Sequence, residues 1–302
     1  MAVERQGYQQ ILRGTSGPLA VTFFDAAGAV VDPGTVTVTI TRLDGSAIVT
    51  DGATSGTGAS ARTRALTPAE SGTLDQLTCT WTGTINGEPQ TVETRAEVIG
   101  DLLFSVADAR SDQGGKLASD TSYPTERIEA ARAAILDAWY EICGVAFVPR
   151  VRQVVLNGNN RDVLYLPDLR VSALRAIELR SGATWSAYTD ESLLDVIVEP
   201  IGRLTHETGW FPRGRQNVRI TYEHGWERTP GEISQAALML LRDRLVKGTS
   251  PERATSEVGE LGTFTLATAG TQGNPWSVYR EYGLPFVDAV LHRYNEKLPG
   301  AR

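Results

Sequence analysis

The chain has 302 residues, 41% apolar and 22% charged, a length that suits two domains of about 100–200 residues each. Its net charge of −7, from 29 basic and 36 acidic residues, argues against a protein that grips a nucleic-acid backbone, because that binding runs on surplus basic residues neutralising phosphate. No apolar run reaches the ~20 residues of a bilayer span, and Met1-Ala-Val-Glu-Arg-Gln-Gly lacks the basic flank and apolar stretch of a signal peptide, so a soluble protein without membrane contact, made in a cytoplasm, is expected.

Up to about Gly100 the pattern has a period of two. Val36, Val38 and Ile40 alternate with Thr35, Thr37, Thr39 and Thr41, and Leu77, Cys79 and Trp81 with Thr78, Thr80 and Thr82. Such alternation predicts strands with one buried face, and threonine suits the solvated one. Turns are signalled at Asp32-Pro33-Gly34, Asp44-Gly45, Asp51-Gly52 and Asn86-Gly87, the last being a type I′ pair between strands at about 77–85 and 88–98. Short strands and turns without a helical period predict a small β-sandwich, Ig-like in architecture only.

Beyond Leu102 the period changes. Tyr123-Pro-Thr-Glu opens a helix with proline in its first turn and Ile128, Ala131, Ile135, Trp139 and Ile142 along its apolar stripe, and Gly144 supplies a left-handed stop. Strands are expected at Arg150–Leu156, Val163–Leu166, Ala173–Leu179, Asp195–Val198 and Val218–Tyr222. Thr229-Pro-Gly-Glu232 has the form of a capping box. It precedes a helix carrying Ile233, Ala236, Ala237, Leu240, Leu241 and Leu245 on one face, closed by Gly248. Residues Thr249–Trp276, rich in Gly, Thr and Ser, read as an extended arm or loop before a last helix at about Leu284–Leu298. The fold class expected is therefore α+β, divided as 1–102 β-sandwich, 103–248 helical domain with short strands, and 249–302 arm and helix.

Chemistry is sparse. Cys79 and Cys143 lie far apart with no Cys-x-x-Cys, and read as buried free thiols. His206, His224 and His292 have no partner at metal-ligand spacing, so no metal and no cofactor is expected. Gly52, Gly56 and Gly58 sit in a Thr/Ser-rich turn rather than between a strand and a helix, and make no phosphate cradle. Asp190, Glu191 and Asp195 form an acidic cluster read as a solvated loop. Glu207 beside His206 and Glu223 beside His224 would point to opposite faces of a strand, against direct pairing. No catalytic residue is assigned, and the expectation is that the chain is not an enzyme.

Only Lys116, Lys247 and Lys297 are lysine; the remaining basic residues are arginine, recurring from Arg150 to Arg219. Two readings stay open for them: ion pairs between subunits, with Arg150, Arg152, Arg175, Arg213 and Arg215 as candidates, or charge balanced by nearby Asp and Glu. The aromatic-rich tail, Trp276, Tyr279, Tyr282, Phe286 and Tyr294 with Val287 and Leu291, reads as a docking surface for another chain, because it follows a long arm.

From Tyr123 to Gly248 the order of features resembles the head-to-tail connector (adaptor) proteins of long-tailed bacteriophages, particularly those of actinobacteria. The likeness runs through Tyr123-Pro-Thr-Glu-Arg-Ile-Glu-Ala-Ala-Arg, Ile142-Cys-Gly-Val-Ala-Phe-Val-Pro-Arg, Asp162-Val-Leu-Tyr-Leu-Pro and Val171-Ser-Ala-Leu-Arg-Ala-Ile. It continues in Gly209-Trp-Phe-Pro-Arg-Gly-Arg-Gln-Asn-Val-Arg-Ile-Thr-Tyr-Glu-His-Gly, Thr229-Pro-Gly-Glu-Ile, Arg253-Ala-Thr-Ser, Gly262-Thr-Phe-Thr-Leu-Ala-Thr and Arg293-Tyr. Singly these motifs are weak; as an ordered series they are specific. The resemblance implies a structural virion protein of the neck, assembled in the host cytoplasm. It would be a dodecameric ring between the portal and a neck/stopper or tail-terminator protein, with DNA passing through the lumen without sequence-specific binding and the C-terminal part docked on the portal. Alternatives are another tail or baseplate protein whose sandwich binds sugar, with Trp81 as its one available aromatic, and a glycan hydrolase using the cluster near Asp190.

Overall fold

The alternating stretches of the first hundred residues become strands. The computed structural model describes residues 9–25, 27–188, 193–246, 254–258, 263–266 and 282–296. Strands β1 (Gln9–Leu12), β3 (Thr37–Thr41), β4 (Ala47–Ala53), β6 (Asp75–Ile85) and β7 (Glu88–Ile99) form a five-stranded sheet in the order β1-β7-β6-β3-β4, with β1 parallel to β7. A second sheet pairs β2 (Gly17–Val21) with β5 (Arg62–Leu66). Both sheets contribute to one core: Leu19 and Val21 from β2 and Leu66 from β5 cluster with Val38, Ile40, Leu77, Cys79, Trp81, Val92 and Val98. The threonines of β6 face outward as expected, and Asn86 and Gly87, both at positive φ (54° and 84°), make the tight turn between β6 and β7. Trp81 is fully buried and donates its indole N–H to Thr94 Oγ1 at 2.9 Å, so it offers no platform for a sugar.

Below the connecting loops the periodicity of two continues. Strands β8 (Arg150–Gly158), β10 (Val171–Ser181), β11 (Thr184–Ala187) and β14 (Gly214–His224) form a four-stranded sheet in the order β11-β10-β14-β8. Strands β9 (Val163–Tyr165), β12 (Val196–Val198) and β13 (Arg203–His206) form a three-stranded one, β12-β13-β9. Leu164, Val196, Leu204, Phe211, Val218, Ile220 and Tyr222 close their shared core. The expected strands exist, with β8, β10 and β14 longer at both ends or one; β11 and β13 were not anticipated.

Helices form where the 3.6-residue period and a legal start coincide. A short helix, α1 (Val106–Ser111), carries a true capping box, Ser105 and Asp108 bonding each other's backbone N–H. Helix α2 (Thr125–Cys143) ends on Gly144 at φ 72°, as expected. Its buried line runs through Ile128, Arg132, Ile135, Leu136, Trp139 and Cys143, while Ala131 and Ile142 are only half-buried. Helix α3 (Gly231–Leu245) buries all six residues assigned to its apolar face. Its capping box does not form. The Thr229 hydroxyl donates instead to the carbonyls of Leu102 and Phe147, each at 3.2 Å, and no side chain caps the helix. Helix α4 (Pro285–Tyr294) is shorter than expected at both ends. Strands β15 (Ala254–Val258) and β16 (Thr263–Leu266) pair as an antiparallel hairpin within the stretch expected to be an arm or loop. Gly248 lies outside the described residues.

Contacts divide the chain into two compact units, and both are discontinuous in sequence: 1–101 with 148–227, and 102–147 with 228–302. The first is built of sheets. The second is helical, its core formed by Leu103, Phe104, Leu117, Ile128, Ile135, Trp139, Phe147, Leu240, Leu241, Val287 and Leu291. No helix among the described residues is long and apolar enough to cross a membrane.

Candidate interaction surface

Strand register decides what each arginine does. Arg150 opens β8, and its guanidinium takes the carboxylate of Glu97, itself fully buried on β7, by three contacts of 2.7–3.0 Å. Arg152 lies on the same strand and donates to both oxygens of Asp168 at 2.9 and 3.0 Å, and the Tyr222 hydroxyl donates to the same carboxylate. Arg175 on β10 pairs with Glu223 on β14 at 2.6 Å and donates to the Leu74 carbonyl. Arg219 pairs with Glu178 across the same two strands and stacks over Trp185 at 4.5 Å, while Arg170 stacks over Trp226 at 3.7 Å. Three of the five arginines expected at subunit contacts, Arg150, Arg152 and Arg175, are thus committed inside the chain. The other two, Arg213 and Arg215, are exposed at the start of β14 and make no ion pair among the described residues.

The histidine–carboxylate neighbours are consumed in the same manner. His206 is buried, accepts the Gly209 N–H on Nδ1 at 2.9 Å and meets Phe211 edge-on. His224 is buried, and desolvation pulls its imidazole down to about 4, with Asp168 opposing the shift and Arg150 and Arg152 adding to it. It is therefore neutral at pH 7. Asp195 accepts the Thr208 hydroxyl at 2.7 Å; Asp190 and Glu191 lie outside the described residues. Cys79 and Cys143 are buried and not joined in a disulfide, and burial pushes the Cys79 thiol up to about 11. Among the described residues, no three His, Cys, Asp or Glu side chains gather as metal ligands would.

Of the aromatic tail, Trp276 and Tyr279 lie outside the described residues. Tyr282 is half-buried under Arg244, whose guanidinium sits 5.7 Å from its ring centroid. Val287 and Leu291 face inward and are buried in the helical core, and Tyr294 meets the Phe147 ring edge-on at 6.0 Å. Phe286, 37% exposed, is the outward member of the set. Sequence reasoning missed three buried arginines. Arg62 donates to Asp32 and to the carbonyls of Gly34, Gly58 and Ser60, which organises the Gly-rich connection. Arg132 donates to the Phe104 carbonyl, and Arg242 pairs with Asp112. Arg132 and Arg242 fall among mainly apolar neighbours on their helix faces, and that was the available signal; Arg62 shares its strand face with Arg64 and gave none.

No protein-family model matches the chain, and no curated protein matches it. Among solved structures, the chain is similar to a component of the neck of an empty gene transfer agent particle computed with C6 symmetry, at 16% identity over 48% of this chain and 78% of that one, with a TM-score of 0.38. It is also similar to a chain in the virion of a native gene transfer agent particle, at 17% identity over 47% of this chain and 78% of that one, with a TM-score of 0.39. These values describe a partial likeness.

Proposed function

We propose that this protein is a structural part of a virion neck, a head-to-tail adaptor whose copies close a ring of twelve between the portal and a neck/stopper or tail-terminator protein. The observation that carries this reading is the order of its motifs. The series from Tyr123 to Thr229 falls in chain order on α2, β8, β9, β10, β14 and the start of α3, so the resemblance follows folded elements of both units, passing over β11 to β13. In this reading 1–102 is an Ig-like sandwich, 103–248 the connector domain, and 249–302 the arm and portal-docking helix, as stretches of sequence that the two compact units, 1–101 with 148–227 and 102–147 with 228–302, divide differently. The work done is geometric, with no bond made or broken. Several acid–base side chains support this: Glu97, Asp168 and Glu223 are held in ion pairs with arginine and His206 in a backbone hydrogen bond. One face of each subunit meets a different face of the next, and the rotation closes the circle. A lumen that must let DNA slide should not neutralise its phosphates, which suits a chain of net charge −7. Alone, the protein associates weakly and needs the portal as a template for ordered assembly.

The test is negative-stain imaging of virions carrying an N-terminally labelled copy. Label at the junction of head and tail is the expected result. Label on the capsid surface or at the tail tip, or virions that incorporate none, overturns the reading.

A further inference from the structure

The far end of the β8–β14 ribbon is built more rigidly than its small apolar content requires. Asn217 Oδ1 accepts the Gly158 N–H at 2.8 Å, and its Nδ2 donates to the Pro212 carbonyl at 2.8 Å. Asn157 Oδ1 accepts the Gln216 N–H at 2.7 Å, and Asn159 Oδ1 the Arg161 N–H at 2.9 Å. Arg161 and Phe211 form an antiparallel bridge, with the Phe211 N–H donating to the Arg161 carbonyl at 2.8 Å. Backbone packs so closely here that a Cβ on Gly158 would stand 1.8 Å from the Pro212 oxygen. Two residues with side chains, Asn160 and Gln216, are held at positive φ (57° and 50°). A non-glycine residue there costs about 1–3 kcal/mol and persists only where its surroundings over-determine it.

This rigid knot displays Trp210, 61% exposed, with Arg161 and Arg213 exposed on the same loops and Arg215 exposed at the start of β14. None of the three arginines has an ion pair among the described residues, in contrast to Arg150, Arg152, Arg175 and Arg219 on the same ribbon and its neighbouring strand. Tryptophan and arginine dominate the few positions that carry most of an interface's energy, and a surface held rigid before binding loses less entropy on docking.

We infer that the Trp210–Arg161–Arg213–Arg215 tip is a docking surface for exposed carboxylates of a second copy of this chain. Charge selects the occupant. Identical subunits of net charge −7 repel unless a contact sets opposite charges together, and the tip carries three arginines against the exposed carboxylate beside them, Asp162, a local basic surplus on an acidic molecule. The acid to meet it is present on the sheet-built unit: Asp51 on β4 and Glu88 and Glu93 on β7 are exposed and make no ion pair among the described residues. Duplex DNA fits less well, because three arginines would have to outweigh the repulsion of the whole chain. The inference rests on the ring reading above and names the surface that reading leaves open.

The experiment is sedimentation velocity on the full chain over a wide concentration range, at low and high salt. The variants are Trp210→Ala, Arg213→Glu with Arg215→Glu, and the control Arg13→Glu, an exposed arginine just after β1. The expected result is weak self-association that fades with salt. It should fall about tenfold or more in the two tip variants and stay unchanged in the control, with all variants melting as the parent does. A parent with no concentration dependence, or tip variants that associate like it, overturns the inference. So does binding of a labelled DNA duplex that is lost in the tip variants while self-association is kept. If tip variants lose association but labelled virions carry no label at the neck, the tip stands and the neck reading falls.

Discussion

The two units solve the problem of burying a polar chain in different ways. In the sheet-built unit, extended strands place arginine opposite carboxylate at fixed register: Glu97, fully buried, faces Arg150, and Asp168 collects both Arg152 and Tyr222. In the helical unit the interior is closed by rings and aliphatic side chains. Trp139 meets Phe147 edge-on at 6.2 Å and Phe147 meets Tyr294, while the buried Arg132 and Arg242 act at the margin, against Phe104 and Asp112. Ion pairs set beside an apolar core fix register but fail when one partner is lost; a core of rings fails when volume is lost. The two should therefore respond to different insults.

The largest effect expected is on the helical side. Trp139→Ala removes a fully buried ring from between α2 and Phe147 and should cost about 3–5 kcal/mol in urea unfolding, with little dependence on salt. Next comes Arg150→Ala, which strands the buried Glu97 carboxylate and should cost about 3 kcal/mol. The double change Glu97→Leu with Arg150→Met should recover most of that loss. If the double variant is as unstable as the single, the ion pair is not what holds the two strands.

Acid offers a subtler separation. The His224 imidazole is held at about 4, below its ordinary 6.5, so the unfolded chain binds the proton more readily between those values. Stability is unaffected above pH 6.5 by this group, falls as pH drops towards 4, and levels off below that, a loss of about 3 kcal/mol at most. His224→Gln should flatten that part of the pH profile. The smallest effect tests what the units share. Gly87→Ala and Gly144→Ala each place a side chain at φ 84° or 72° and should each cost about 1 kcal/mol, in the sheet and at the helix end alike. For Gly87 the cost is purely backbone, since a Cβ there meets nothing within 4 Å.

Much of this contrast was readable from the chain. The threonine alternation of β3 and β6, the Asn86-Gly87 turn and the buried face of α3 each depend on a local period, and local periods survive folding. What was not readable depended on partners distant in sequence. Thr229 looked like a cap because of Glu232, yet its hydroxyl is claimed by carbonyls from residues 102 and 147. The capping box that does form, Ser105 with Asp108, carried the same signal and went unread because no apolar run followed it. Arginine count alone could not separate Arg150 and Arg152, spent inside the sheet unit, from Arg213 and Arg215. Only the register of β8 against β14 and the position of Asp168 do that.

The helical unit is assembled from two stretches of chain, with residues 148–227 belonging to the other unit in between. Synthesis runs in one direction, so α2 leaves the ribosome long before α3 and α4 exist to cover it. Trp139 and Phe147 must wait, uncovered, through the translation of that whole insertion, and Phe147 does not gain Tyr294 until a further 147 residues have been made. A slow codon or a stalled ribosome after α3 would leave this surface naked, and recombinant yield should depend on how well the host shields it.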